Sequence, residues 1–273
     1  MLKLKDGIVS LFKKVVTSIP PDVEDAIRMA YGREAEGSQT KEVFRAILEQ
    51  VKEARVQGKP LCQHAGVPVF WVGMPRSLSR REILDIIIDG TETAFKKIPA
   101  FGDRTEGEAL PSIPVPVVFF EETDSTSLVV DLLINGADCE NAGMFFSINQ
   151  PFTGNFTEVK KALLESVSKR SNNLCSPCVL GIGIGSERTQ IAALSKKQLL
   201  RKLSDNNAHP KLMQLEQELT EGLNTLITEF PSLNCKTAIL GVKAATVNLH
   251  SFSYLVDVSV SCWALRRGRL IWS

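Results

Sequence analysis

Two cysteines, Cys175 and Cys178, are the first residues of the chain whose type and spacing could do chemistry. They flank a proline and lead into residues 179–185, where glycine alternates with isoleucine or leucine. This alternation predicts a buried strand with a bare face that another backbone can approach closely. The composition of residues 186–203 predicts a helix directly afterwards. A thiol just before a rigid strand is well placed to bind a metal. Cys175 is therefore a candidate ligand of an iron–sulfur site.

The C-x-x-C spacing also fits other kinds of site. A four-cysteine zinc ribbon needs a second C-x-x-C pair, which the sequence lacks. A structural zinc site built from Cys62, His64, Cys175 and Cys178 would be chemically acceptable. A thioredoxin-like redox pair opens a helix, whereas a strand-like run follows the two cysteines here. The glycines match no nucleotide-binding fingerprint, because no Lys-Ser or Lys-Thr pair follows them.

Three cysteines far apart in the sequence lie next to predicted strands. Cys62 and Cys175 each precede a strand, and Cys262 ends one. Three thiolates can hold a [4Fe–4S] cluster and leave one iron without a protein ligand. Such an iron is a Lewis acid suited to the hydration or dehydration of a 2-hydroxy acid. The plain alternative is that these cysteines are ordinary buried side chains.

The composition favours a globular protein without a general affinity for polyanions. The formal net charge is +1, and 44% of the residues are hydrophobic and 23% charged. This balance provides no overall field that would recruit nucleic acid or an anionic membrane. No stretch approaches the roughly 20 apolar residues of a membrane span, and the N-terminus lacks the features of a signal peptide. We therefore expect a cytoplasmic location, where six cysteines remain reduced and bind metal or are buried.

The hydrophobic pattern predicts an α+β (mixed α/β) fold with a helical N-terminal part followed by a mixed sheet flanked by helices. We expect one domain over residues 1–273, with the helical part at 1–60 and the sheet-rich part at 61–273. Ser79 and Glu82 form a capping box that predicts the start of a helix. A long loop is expected at 98–116, and separate β-runs at 238–243 and 245–250.

Three motifs carry a resemblance to a known family. They read Pro60-Leu61-Cys62-Gln63-His64-Ala65-Gly66, Cys175-Ser176-Pro177 with the glycine-spaced strand after it, and Cys262-Trp263-Ala264-Leu265-Arg266. These segments are similar to the P-x-C-Q-D-T-G, C-P-P and C-terminal C-W/x-A-x-R motifs of the iron–sulfur-dependent hydro-lyases. From about residue 20 to the C-terminus, the chain resembles the alpha subunit of class I fumarase and L-tartrate dehydratase.

The resemblance implies a function. In the family the three cysteines ligate a [4Fe–4S] cluster, so the match points to Cys62, Cys175 and Cys262 as metal ligands. It implies a hydro-lyase acting on a small hydroxy-dicarboxylate of the fumarate/malate or tartrate type. A beta subunit would supply further substrate contacts and the catalytic base, and the alpha chain would also associate with itself. The candidate catalytic residues are His250 and His64, and the candidate substrate-binding residues are Gln63, Asn141 and Arg266.

Each of these residues also has a plainer interpretation. His250 resembles a family histidine near the substrate, and Arg266 could bind a carboxylate through two hydrogen bonds. Arg266 equally fits a solvated basic tail at the end of the chain. His64 could donate to a substrate carboxylate or be a polar turn residue, and Gln63 could serve a turn hydrogen bond. Large apolar residues near the C-terminus are expected at a subunit interface: Trp263, Leu270, Ile271 and Trp272.

The sequence departs from the family pattern around the substrate. His64 and Ala65 stand where the family has aspartate and threonine, and Asn135 where it has lysine. These changes predict either a different substrate or a paralogue without catalysis that keeps the cluster for a structural or redox-sensing role. A zinc-stapled binding module is a third hypothesis. Cys139 and Cys235 are interpreted as small buried side chains.

Overall fold

The computed structural model describes residues 2–62, 64, 66–98, 115–228, 235–249 and 253–273. Three helices open the chain: α1 (Leu2–Thr17), α2 (Pro21–Arg33) and α3 (Gln39–Gln57). They confirm the prediction of a helical N-terminal part. Most of the loop expected at 98–116 lies outside the described residues.

The remaining elements are a mixture of strands and helices. They are β1 (Gly66–Pro75), α4 (Arg80–Lys97), β2 (Val117–Thr123), β3 (Leu128–Gly136), α5 (Ala137–Asn141), β4 (Met144–Ile148), α6 (Thr157–Lys169), β5 (Cys178–Gly185), α7 (Arg188–Gln198), α8 (Pro210–Leu226), β6 (Ile239–Val247), β7 (Tyr254–Cys262) and β8 (Arg267–Trp272). The predicted α+β class is therefore confirmed. Within the described part of the chain, no helix has the length and apolar composition to cross a membrane.

The chain divides into two compact units. Unit 1 contains Met1–Pro20, Glu49–Ala137 and Arg266–Ser273, and unit 2 contains Pro21–Leu48 and Asp138–Leu265. Each unit has its own sheet and its own hydrophobic core. The expectation of one domain over the whole chain stays a prediction.

Unit 1 is built on a four-stranded sheet in the order β2-β1-β3-β8. β1 runs parallel to β2 and antiparallel to β3, which is antiparallel to β8. α1 packs on α4 and on β3 and β8. The ring of Phe12 lies 5.8 Å from that of Phe70 and 6.1 Å from that of Phe95. As the capping box predicts, α4 starts after Ser79, whose hydroxyl accepts from the backbone N–H of Glu82.

The C-terminal basic stretch is not a solvated tail. β8 pairs with β3, and Arg269 donates to both carboxylate oxygens of its cross-strand neighbour Asp131 at 2.7 and 2.8 Å. Arg266, just before the strand, is 4% exposed. Of the two interpretations, the solvated tail is therefore wrong, because this stretch pairs with β3 and Asp131 neutralises Arg269.

Unit 2 is built on a four-stranded sheet in the order β4-β7-β5-β6. β5 is parallel to β6 and antiparallel to β7, which is antiparallel to β4. Leu180, Ile182 and Ile184 of β5 are fully buried against residues of α6 and α8. β6 joins the two β-runs expected at 238–243 and 245–250, so the predicted break between them is wrong.

The other face of β5 is bare, as its glycines predict, and α7 lies on it. A Cβ on Gly181 would lie 2.1 Å from the carbonyl oxygen of Ser195, and one on Gly183 would lie 2.2 Å from that of Ile191. Real Cβ atoms do not approach backbone oxygens this closely, so each alanine would force the helix away from the strand. Glycine is required at these positions for close backbone packing.

Gly183→Ala is therefore expected to lower the free energy of unfolding by about 1–3 kcal/mol through overpacking. The matched control is Gly32→Ala in α2, where a new Cβ would meet nothing within 4 Å. There alanine should raise stability by up to about 1 kcal/mol, because it is the better helix former. Urea denaturation of both variants measures the difference, and equal effects at the two positions would contradict the close contact of α7 with β5.

Candidate functional site

Five of the six cysteines lie in unit 2, and four of these lie around the end of its sheet where β5 begins and β7 ends. Cys262 ends β7, and Cys178, which begins β5, is its direct cross-strand neighbour. Cys175 precedes β5 by three residues and is exposed, whereas Cys262 is partly exposed. Cys139 lies on α5 and is 5% exposed. None of these four cysteines forms a disulfide.

The strand register explains why α5 lies beside the end of β7. Met144, the first residue of β4, pairs with Val258 in an antiparallel ladder. Going backwards along the chain from Met144 therefore leads along β7 towards Cys262. Only two residues separate β4 from α5, so this short helix reaches the Cys262 end of the strand.

The thiols of Cys139, Cys175 and Cys262 form what we call the unit 2 thiol group. The side chains of Cys139 and Cys262 are hydrogen-bonded, and Cys175 is close enough to act on Cys139 electrostatically. The bond to Cys262, burial and the nearby Cys175 raise the pKa of the Cys139 thiol well above its ordinary value. The interpretation of Cys139 as a buried side chain is confirmed, but its contact with Cys262 is new.

Cys178 differs from the other cysteines of this region. It has no exposed surface and belongs to the hydrophobic core of unit 2. Burial raises the pKa of its thiol to about 12, despite a hydrogen bond with Ser176. Because zinc binds the thiolate, this environment argues against a zinc site that uses Cys178.

Three of the predicted site residues lie in unit 1: Cys62, His64 and Arg266. We call His64, Gly136 and Arg266 the unit 1 corner. Cys62 is partly exposed and His64 is exposed. A Cβ on Gly136 would lie 3.1 Å from the Cβ of His64 and 3.6 Å from Nη2 of Arg266. The bare backbone of Gly136 thus brings an imidazole and a buried guanidinium to the same place, where they could bind a carboxylate.

Backbone hydrogen bonds hold the chain at Arg266 and just before it. The carbonyl oxygen of Arg266 accepts from the N–H of Ile134 at 2.9 Å. Before it, Leu265 has a positive φ of 23° and its N–H donates to the carbonyl oxygen of Cys262 at 2.9 Å. A buried leucine in the left-handed region is uncommon, and this tight turn separates Cys262 from Arg266.

The other predicted site residues are less informative. Asn141 is exposed at the end of α5, next to Glu140, which pairs with Lys196 at 2.5 Å. Gln63 and His250 lie outside the described residues, so their predicted roles stay predictions. Within the ranges that the structure describes, no group of three or more His, Cys, Asp or Glu side chains is arranged to hold a metal ion.

The donor set nevertheless fits an iron–sulfur cluster chemically. Cysteine thiolates are the usual ligands of such clusters. Of the three predicted ligands, Cys175 is exposed and Cys62 and Cys262 are partly exposed, so none is enclosed in a core as Cys178 is. Two of them, Cys175 and Cys262, lie in one unit and act on a common neighbour, Cys139.

Unit 2 also has a charged network beside a cleft of about 550 Å³ lined by α8, β6 and residues 203–206. Glu216 is buried and accepts from Arg201 and Asn207 at 2.7 Å and from the N–H of Ala244 at 2.8 Å. Lys243, also buried, donates to Asp205 at 2.7 Å. We call this the Glu216 network. The cleft contains none of the predicted site residues.

Asp257 on β7 is a partly buried carboxylate that the sequence did not single out. It faces α7, where the hydroxyl of Ser195 donates to it. Burial raises its pKa, although Ser195, Lys196 and Arg188 oppose the shift. Its place among alternating apolar residues of β7 is the sequence signal that could have indicated it.

The raised pKa of Asp257 predicts how stability depends on pH. Below the ordinary value of 3.8 the carboxyl is protonated in both the folded and unfolded states. As the pH rises from there through the pKa of the folded state, the Asp257 carboxyl becomes charged in a site that disfavours the charge. The free energy of unfolding therefore falls. Asp257→Asn is therefore expected to be more stable than the wild type at pH 7, with the difference shrinking towards pH 4.

Urea denaturation at several pH values checks this prediction. Glu165 is the control, because a hydrogen bond from Lys169 lowers its pKa. Glu165→Gln should then show the opposite trend, losing a small stabilisation at pH 7. An Asp257→Asn variant that is less stable than the wild type at pH 7 would contradict this prediction. It would mean that the charged Asp257 carboxylate stabilises the folded state.

Comparisons with known proteins agree with the motifs. The family model of fumarate hydratase (Fumerase) matches residues 5–270. "Putative fumarate hydratase class I" of Geobacillus stearothermophilus is 29% identical over 98% of this chain, which spans only 54% of that protein. "Putative L(+)-tartrate dehydratase subunit alpha" of Methanocaldococcus jannaschii is 28% identical over 98% of this chain and 96% of its own length.

A third relative comes from Escherichia coli (strain K12). It is an L(+)-tartrate dehydratase subunit alpha, 26% identical over 98% of this chain and 90% of its own length. The family resemblance predicted from the three cysteine motifs is confirmed, and it extends over nearly the whole chain rather than from about residue 20. The chain belongs to the fumarate hydratase (Fumerase) family.

Proposed function

We propose that the chain is the alpha subunit of a [4Fe–4S]-dependent hydro-lyase that reversibly adds or removes water on a small hydroxy-dicarboxylate. The observation that carries the proposal is the family match over residues 5–270. The relatives' names include both a class I fumarate hydratase and tartrate dehydratase alpha subunits. We therefore propose a substrate of the fumarate/malate or tartrate type, and a cytoplasmic location.

Cys62, Cys175 and Cys262 would hold the cluster. Their exposure supports this role, because each thiol can be reached by iron without unfolding a core. When bound, a [4Fe–4S] cluster with one iron free of protein ligands supplies a Lewis acid for the substrate hydroxyl group. The protein's own contribution is to hold the substrate and to move its proton.

The unit 1 corner would bind a substrate carboxylate. Arg266 is 4% exposed, so its guanidinium has few water molecules to lose when an anion binds. Its planar N–H groups suit a carboxylate. The missing side chain of Gly136 lets the guanidinium lie close to His64. His64 would donate a second hydrogen bond. Gln63 and Asn141 are also proposed as substrate-binding residues.

His250 is proposed as the residue of this chain that transfers or orients a proton, and a beta subunit would supply the catalytic base. The alpha-subunit names of two relatives support such a partner. Ile271 of β8 is 63% exposed, a large apolar side chain that an interface would cover. The alpha chain is also proposed to associate with itself.

Metal analysis of the anaerobically purified chain tests the cofactor. We expect iron and acid-labile sulfide in equal amounts, about four of each per chain. Zinc without sulfide would overturn the proposal and support a zinc-stapled binding module. A chain that binds neither an iron–sulfur cluster nor zinc would exclude both the hydro-lyase and the zinc-stapled module.

Turnover separates an enzyme from a cluster-holding paralogue. The cluster-loaded chain is mixed with the product of the neighbouring gene and assayed with fumarate, tartrate and mesaconate. Hydration or dehydration that depends on both chains is the expected result. A full cluster without turnover of any of these acids would favour a structural or redox-sensing role.

A further inference from the structure

The contact between Cys139 and Cys262 has no place in the proposed hydro-lyase, because only one of these cysteines is a proposed ligand. Two separate features bring them together. The pairing of Met144 with Val258 places α5 beside the end of β7, and the two thiols are hydrogen-bonded to each other. Both residues lie in unit 2.

The two thiols differ in their access to solvent. Cys139 is 5% exposed, whereas Cys262 is partly exposed. A small oxidant therefore reaches Cys262 first, and Cys139 is the thiol in direct contact behind it. Cys178, the cross-strand neighbour of Cys262, is completely buried and has its own hydrogen bond with Ser176.

We propose that Cys139 and Cys262 form a redox pair, which closes to a disulfide when the chain holds no cluster and encounters a low-molecular-weight disulfide such as oxidised glutathione. A disulfide requires two sulfurs that approach to about 2 Å without backbone movement. Thiols already in hydrogen-bond contact need only a small adjustment of their side chains.

The reaction is two successive thiol–disulfide exchanges. The Cys262 thiol loses its proton and its sulfur attacks oxidised glutathione, which forms a mixed disulfide and releases one glutathione thiolate. The Cys139 thiol then loses its proton and attacks the Cys262 sulfur, which releases the second glutathione. The two protein thiols lose two protons and two electrons in total, and one oxidised glutathione is reduced to two molecules of glutathione.

The consequence rests on the proposed function, since the disulfide would occupy the ligand Cys262. A chain in this state could not accept a cluster until a thiol reductant opened the bond. The pair would thus protect a ligand from irreversible oxidation while the site is empty. Formation of the disulfide itself does not depend on the proposed function.

Peptide mapping of the full chain tests the pair. The chain is stripped of metal with a chelator under reducing conditions, freed of reductant, incubated with oxidised glutathione, alkylated and digested. In the wild type we expect a peptide that links Cys139 to Cys262. In Cys139→Ala the mixed disulfide of Cys262 with glutathione should be at least about tenfold more abundant than in the wild type, because the neighbouring thiol that removes it intramolecularly is absent.

Cys235→Ala is the matched control, because Cys235 is a buried cysteine that bonds to the carbonyl oxygen of Ile227 instead. It should behave as the wild type. Links from Cys262 to Cys175 or Cys178, or equal amounts of mixed disulfide in the wild type and Cys139→Ala, would overturn the proposal. Iron loading of the reduced wild type is measured separately. If it fails while the Cys139–Cys262 link forms, the proposed function is wrong and the redox pair stands.

Discussion

Cys175→Ala is expected to abolish the binding of iron and sulfide, whereas Cys178→Ala should leave it unchanged. The two cysteines are three positions apart but have different surroundings. Cys175 is exposed, and Cys178 has no exposed surface and a pKa of about 12. A ligand must be a thiolate that iron can reach. Iron and acid-labile sulfide per chain, measured without oxygen, check the contrast.

Stability measurements complete this comparison. Cys178→Ala removes a sulfur from the core of unit 2 and should cost about 1–2 kcal/mol of unfolding free energy. Cys175→Ala should cost much less in the metal-free chain, since its side chain is exposed. Loss of iron from Cys178→Ala together with normal iron in Cys175→Ala would show that the ligand was assigned to the wrong cysteine.

Glu216→Ala is expected to destabilise the protein by about 3–5 kcal/mol, the cost of removing one partner from a buried ion pair. Glu216 accepts from the Arg201 side chain and from the N–H of Ala244. Its removal leaves the N–H of Ala244 without its acceptor and leaves Arg201 with Asp205 as its remaining acidic partner. The midpoint of urea denaturation should fall accordingly.

The control for this prediction is Glu165→Ala. Glu165 also accepts from a cation, Lys169, but both side chains are more than half exposed. Exposed pairs of this kind contribute little to stability, because water screens both charges. A Glu216→Ala variant that is no less stable than Glu165→Ala would mean that water replaces the carboxylate in the Glu216 network.

The elements that follow from local pattern could be predicted from the sequence. The glycine alternation before Gly185 predicted both a buried strand and a close neighbour on its bare face, and α7 occupies that face. The capping box at Ser79 predicted the start of α4. In both cases the deciding residues are close together in the chain, so the interaction is visible in the sequence.

Features that depend on distant residues could not be predicted in this way. The first of the two expected β-runs was to end at Lys243, but Asp205 neutralises this lysine and β6 continues past it. The basic residues before the C-terminus suggested a tail, because Asp131 lies far away in the sequence. The neighbourhood of Cys139 and Cys262 likewise depends on the register between β4 and β7.

The candidate site could be predicted as residue types but not as an arrangement. Cys62, Cys175 and Cys262 came from motifs, and the exposure of these thiols agrees with the assignment. The proximity of His64 and Arg266 at Gly136 required the fold, since these residues come from separate parts of the chain.

Unit 1 combines Met1–Pro20 and Glu49–Ala137 with the distant segment Arg266–Ser273. This segment supplies β8, the strand that pairs with β3. During synthesis its sheet therefore lacks a strand until residues 267–272 have left the ribosome. A nascent chain exposes the edge of β3 throughout that interval, and an exposed edge is a site of aggregation. Expression yield should thus depend on chaperone supply more than the size of the protein alone would suggest.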